Sequence, residues 1–124
     1  MSKKKILVVD DESGFTRLMK LALPKYDMRT ENDSQNAVAT AREFQPDLIL
    51  LDVIMPGLDG GDLAAKFAED PALKHIPIVF LTAVVSPGEA SKGAQQIGGY
   101  PFLGKPISAP MLEKCIEERL AAQS

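Results

Sequence analysis

Four apolar runs in this sequence each end on residues whose types could do chemistry. Ile6-Leu7-Val8-Val9 leads into Asp10-Asp11, Leu48-Ile49-Leu50-Leu51 into Asp52, Ile78-Val79-Phe80-Leu81 into Thr82, and Phe102-Leu103-Gly104 into Lys105-Pro106. If the runs are strands of one parallel sheet, these polar ends share one edge, where open α/β sheets bind their ligands. Three carboxylates, one hydroxyl and one ammonium would then converge. Such oxygens suit a hard divalent cation, Mg2+ or alternatively Mn2+. One or two carboxylates from Asp10, Asp11 and Asp52, a backbone carbonyl near Ile54 and several waters would fill an octahedron. Carboxylates gathered this closely repel one another, and a bound cation relieves the repulsion.

Asp52 is the candidate nucleophile, because carboxylates form aspartyl-phosphates. Phosphoryl transfer mainly needs positioning and charge neutralisation. The Lys105 ammonium would help balance the phosphoryl oxygens, and the Thr82 hydroxyl could bond one of them. Each residue also has an ordinary explanation. Asp10-Asp11 could cap a helix, a strand-end Thr is usually structural, and an exposed Lys is usually just solvated. The weight lies in their joint spacing.

What must hold these ends in place is an alternation of strands and helices. The pattern predicts a first strand over Lys5–Val9 and a helix over Glu12–Leu23, with Phe15, Leu18, Met19 and Ala22 at helical spacing and Pro24 as its stop. A second strand, Asp27–Glu31, is mixed in polarity and belongs at an edge. Asn32, Asp33 or Ser34 caps a helix over Ser34–Phe44. The third strand, Leu48–Leu51, is the most continuously apolar and belongs in the centre. Met55-Pro56-Gly57-Leu58 reads as a turn, followed by a helix over Gly61–Glu69 that Asp70-Pro71 ends.

The fourth strand is Ile78–Leu81, and a fourth helix is expected over Pro87–Ile97, ended by Gly98-Gly99. The fifth strand is Tyr100–Leu103, where Pro101 is tolerable only at an edge. Ser108 caps a fifth helix with Pro110 in its first turn and Met111, Leu112, Cys115, Ile116 and Leu120 at helical spacing. These units give a doubly wound, flavodoxin-like (βα)5 fold, an α/β architecture whose five-stranded parallel sheet has the order 2-1-3-4-5. No repeat, linker or low-complexity tract interrupts them, so residues 1–124 are expected to form a single domain.

A chain of 124 residues can bury roughly two-thirds of its unfolded surface. Its 45% apolar and 25% charged content is an ordinary globular balance. A net charge of −3 argues against direct nucleic-acid binding, and Lys3-Lys4-Lys5 reads as a solvated lead-in to the first strand. Cys115 is the sole cysteine, so no intramolecular disulfide forms. No signal-peptide core and no run of roughly 20 apolar residues is present. The expectation is a cytoplasmic protein with no membrane partner.

Taken together, Val8-Val9-Asp10-Asp11, Leu51-Asp52-Val53-Ile54-Met55-Pro56-Gly57-Leu58-Asp59-Gly60, Leu81-Thr82-Ala83 and Lys105-Pro106 resemble the receiver domain of bacterial two-component response regulators, of the chemotaxis-regulator type. The likeness covers essentially the whole chain. It implies that Asp52 accepts a phosphoryl group from the phosphohistidine of a sensor histidine kinase or phosphotransfer protein. It also implies Mg2+ held directly by Asp11 and Asp52, through water by Asp10, and by the Ile54 carbonyl. Ala83 would leave room for the donor, and a cis Lys105-Pro106 bond would aim the ammonium inward. Thr82 would be drawn to the phosphate while Phe102, lacking the hydroxyl of the Tyr often found there, turns inward. The signal would leave through the fourth helix, fifth strand and fifth helix to a downstream effector, with the protein a monomer or a phosphorylation-promoted dimer. Such a switch is no enzyme in the ordinary sense, catalysing only its own phosphorylation and slow autodephosphorylation.

Two positions depart from fast-decaying family members. Ile54 and Val84 stand where those carry polar side chains, so neither can bond an attacking water, and a long-lived phosphate is expected. Competing readings have their own signatures. A phosphatase of the haloacid-dehalogenase type would place Asp-x-Asp after the first strand, where this chain has Asp10-Asp11-Glu12. A flavin-binding flavodoxin would not place the acidic Asp11-Glu12-Ser13-Gly14 against a phosphate. A receiver that works without phosphate would ignore phosphodonor and beryllofluoride. His75 and Asp59-Gly60-Gly61 read as surface and loop features, and Met19, Met28, Met111 and Cys115 as core.

Overall fold

Residues whose side chains alternate between two buried faces build the sheet. The computed structural model describes residues 3–52, 60–82, 96–97, 100–104 and 107–122. β1 (Lys5–Val9), β2 (Asp27–Glu31), β3 (Leu48–Asp52), β4 (Ile78–Thr82) and β6 (Tyr100–Gly104) run parallel. Their order is β2-β1-β3-β4-β6, the expected flavodoxin-like arrangement. Between and after them lie α1 (Ser13–Ala22), a 3-10 turn (Ser34–Asn36), α2 (Ala37–Phe44), α3 (Gly60–Glu69) and α4 (Ala109–Ala121), the last being the helix expected as the fifth. No helix among the described residues is long and apolar enough to cross a membrane.

Side chains two apart share a sheet face. Leu7, Val9, Ile49, Leu51 and Phe80 point to one core, packed with Ala41, Phe44, Leu63 and Phe67 from α2 and α3. Ile6, Val8, Leu48, Leu50, Val79 and Leu81 point to the other, packed with Met19 of α1 and Leu112, Cys115 and Ile116 of α4. A strand covered on both faces has no solvated side, which is why β1 and β3 read as continuous apolar runs. β2 is buried only at Met28, as an edge strand should be. Leu50 is fully buried, and Leu50→Ala should cost about 2–5 kcal/mol in a urea melt.

Four expectations need correction. Gln96–Ile97, expected to finish the fourth helix, form β5, antiparallel to β6 with Gln96 opposite Pro101 and Ile97 opposite Tyr100. The rest of the expected fourth helix, residues 87–95, and its expected end at Gly98-Gly99 lie outside the described residues. β6 is therefore the last long strand but carries β5 on its outer side. On α1, Leu18 is 59% exposed and Ala22 is also exposed, while Thr16 and Met19 are buried. Thr16 takes the inward place because its hydroxyl is occupied there, donating to the Ser13 carbonyl at 3.1 Å. Met111, in the first turn of α4 and on the flank of its buried stripe, is also exposed, whereas Met19, Met28 and Cys115 are core residues.

Candidate functional site

Register brings the carboxylates together. Val9 pairs with Leu51, so the next residue on each chain, Asp10 and Asp52, stand side by side. Asp52 shares its sheet face with Leu48 and Leu50 by the two-residue alternation. Asp10 is completely buried, Asp52 is 5% exposed, and Asp11 is exposed. Carboxylate oxygens from all three lie within 4.8 Å of one another. Every donor in this set is a hard anionic oxygen, which fits Mg2+ and offers nothing to a thiophilic metal. Burial of two of the charges raises the need for a cation, since a desolvated carboxylate is costly unless compensated.

The loop between β1 and α1 is held from several sides. The Asp10 backbone N–H donates to the Glu31 carbonyl at 3.1 Å, prolonging the β1–β2 pairing by one residue. Asp10 Oδ1 accepts from the Glu12 N–H at 2.9 Å, a tight local turn of the Asx kind. The N-cap of α1 is Glu12, with no side-chain cap bond, so neither Asp10 nor Asp11 serves as the cap. From the loop after β2, Asn32 Nδ2 donates to the Asp10 carbonyl at 2.7 Å and to Thr16 Oγ1 at 3.1 Å. Glu31 is anchored in turn, its carboxylate accepting from Thr40 Oγ1 at 2.6 Å and from the Asp33 N–H at 3.1 Å.

Thr82 closes β4, where its backbone pairs with Gly104, the residue before Lys105. The Thr82 side chain, together with Ile54, Asp59, Ala83, Val84, Lys105 and Pro106, lies outside the described residues. Phe102 is 7% exposed and packs in the same cluster as Phe80. His75 is exposed, as expected. Burial pushes the Cys115 thiol up from its ordinary value, which keeps it protonated and unreactive. Asn32 and Thr16 were not legible as site residues. The signal that reveals Asn32 is the Val9–Glu31 register, which sets the next residue on β2 beside Asp10.

A third buried acid, apart from the cluster, sits after α3. Asp70 is 7% exposed. Its Oδ2 accepts from Arg42 Nε at 2.7 Å and forms an ion pair with Nη2 at 2.6 Å, and its Oδ1 accepts from the Ala72 N–H at 2.9 Å. The Ala72 N–H foremost, with the Arg42 guanidinium beside it, holds the carboxyl below its ordinary value.

A family model described as the response regulator receiver domain matches residues 6–117. Over 110 residues the chain is 43% identical to the response regulator PleD of Caulobacter vibrioides, covering 87% of this chain and 24% of that protein. The chain thus spans about a quarter of the length of that curated relative. Among solved structures, the Vibrio cholerae chemotaxis protein CheY4 is similar with a TM-score of 0.80 and 28% identity, covering 94% of this chain and 98% of that one. A response regulator from Desulfuromonas acetoxidans shares the fold with a TM-score of 0.84 at 24% identity, covering 98% and 99%.

Proposed function

The chain belongs to the response regulator receiver domain family of phosphorylation-driven switches, and on that premise we propose that Asp52 is its phospho-acceptor. The donor is the phosphohistidine of a sensor histidine kinase or phosphotransfer protein. The observation that carries this is the gathering of the Asp10, Asp11 and Asp52 carboxylates within 4.8 Å at the end of β1 and β3.

A carboxylate oxygen of Asp52 attacks phosphorus, an O–P bond forms, and the N–P bond to the donor imidazole breaks. Receiver domains generally bind Mg2+ at such an acidic cluster, and the ion, when held, neutralises the phosphoryl oxygens. Asp11 and Asp52 would hold it directly, Asp10 through water, and the Ile54 backbone carbonyl would complete the protein's share. Lys105 balances charge on the same oxygens, and the Thr82 hydroxyl bonds one of them. Ala83 leaves the approach open. Thr82 and Phe102 report the phosphate to an output face that includes β6 and α4, where a downstream effector binds. Phosphate biases a two-state equilibrium there instead of building a new fold. Residues 1–124 act as one receiver unit in the cytoplasm, as a monomer or a phosphorylation-promoted dimer.

Ile54 and Val84 give an attacking water no hydrogen-bond partner, so the aspartyl-phosphate is long-lived. Ile54→Asn should shorten its lifetime several-fold; an unchanged, already fast decay would contradict this. Intact mass after incubation with acetyl phosphate tests the acceptor itself. One phosphoryl increment that needs Mg2+ and disappears in Asp52→Ala supports the reading, and an increment that survives the substitution places the acceptor elsewhere.

A further inference from the structure

Asp10 and Asp52 are aimed by packing, but Asp11 is exposed and packing cannot aim it. The peptide that joins it to Asp10 is held from outside the loop. The carbonyl of that peptide accepts from Asn32 Nδ2 at 2.7 Å. A carbonyl can only accept, so the amide nitrogen of Asn32 must be the group that faces it. The second proton on the same nitrogen goes to Thr16 Oγ1 at 3.1 Å, and the Thr16 hydroxyl spends its own proton on the Ser13 carbonyl at 3.1 Å. Both donors of the amide are used, and the bonds form one directed chain. Thr16 is 1% exposed, so the far end of this chain is anchored inside the protein at the first turn of α1.

We infer that Asn32 is a positioning residue for the cation site. It locks the plane of the Asp10–Asp11 peptide against α1 and thereby aims the exposed Asp11 carboxylate at the two buried ones. This rests on the reading of Asp10, Asp11 and Asp52 as the ion's ligands. The ordinary alternative is a bracket between the β1–α1 and β2–α2 loops that matters only for stability. The two differ in what they move. Groups that hydrogen-bond and orient metal-ligating side chains typically contribute about 10–100-fold to metal affinity, whereas a bracket changes the unfolding midpoint alone.

Calorimetric titration of Mg2+ into wild type, Asn32→Leu, Thr16→Val and Thr16→Ser separates them. Asn32→Leu keeps bulk but removes both donors, and should weaken Mg2+ about tenfold. Thr16→Val should weaken it less, and Thr16→Ser, which keeps the hydroxyl, should restore wild-type affinity. A lowered unfolding midpoint with unchanged Mg2+ affinity in Asn32→Leu would overturn the inference. Hydrogen exchange of the Glu12 amide in the ion-free protein reads the tether independently of any ion. Faster exchange in Asn32→Leu, with β1 protection intact, supports it, and unchanged exchange overturns it. A wild type that takes up no Mg2+ would instead sink the functional reading of the carboxylates, while the exchange rates still decide whether Asn32 holds the loop.

Discussion

Among the described residues, carboxylates are buried in two regions, and what gathers around them differs. After α3, Asp70 accepts from Arg42 Nε and from the Ala72 backbone and pairs with the Arg42 guanidinium, so the opposing charge is built in beside it. At the end of β1 and β3, Asp10 and Asp52 are equally withdrawn from water, and their carboxylate oxygens gather with those of Asp11 within 4.8 Å of one another. Removing a charge from water is tolerated when a partner compensates it and costly when like charges are added. An acid that carries its own guanidinium is a structural joint, here tying α2 to the end of α3. A group that collects acids is built to receive a cation, whether Mg2+ or the proposed Lys105 ammonium.

The largest expected effect is on chemistry. Asp52→Asn should abolish phosphoryl incorporation from acetyl phosphate, and Asp70→Asn should leave it at the wild-type level, both read by intact mass. Equal losses in the two variants would break the contrast. Next comes stability in EDTA, measured by urea melts. Asp70→Asn should lower the midpoint, since Arg42 and the Ala72 N–H lose their charged acceptor. Asp52→Asn should hold or raise it, because one member of a repelling cluster has gone. A loss in both of the same size would mean that the cluster is as fully compensated from within as Asp70.

A pH series sharpens the same point. The carboxyl of Asp70 titrates lower in the folded protein than its unfolded value near about 4. Its charged form therefore favours folding above roughly pH 4, and that contribution fades as pH falls through the lower folded-state value. The stability difference between wild type and Asp70→Asn should shrink steadily on acidification; a constant difference would show that the charge is irrelevant. The smallest effect belongs to a pair left in water. Lys25 bridges Glu113 at 3.3 Å and Glu117 at 2.8 Å on α4, and all three are more than a third exposed or nearly so. Lys25→Met should shift the midpoint little, because solvent and side-chain entropy offset exposed ion pairs. A shift as large as that of Asp70→Asn would show that burial is not what separates the two kinds of partner.

Much of this arrangement was legible in the residue pattern. β1 and β2 match their expected bounds because an apolar run and its mixed neighbour are local features. The meeting of Asp10 with Asp52 was legible because both follow strands that parallel pairing must align. Leu18 and Met111 were misplaced because helical periodicity leaves flanking positions undecided until the stripe's tertiary partner is known, as Thr16 shows. Gly98-Gly99 reads in the sequence as the end of a helix, which hid β5. Asn32 on Asp10 and Arg42 on Asp70 join residues 22 and 28 positions apart, and no local pattern encodes such a meeting.

The most direct test of the central claim is the Mg2+ dependence of the urea midpoint in wild type, Asp52→Asn and Asp70→Asn. An ion that binds only the folded state at 100 times its dissociation constant stabilises by about 2.7 kcal/mol. Wild type and Asp70→Asn should both gain about that much, and Asp52→Asn little. A full gain in Asp52→Asn, or none in wild type, would contradict the claim that these three aspartates form a cation site completed from outside the cluster.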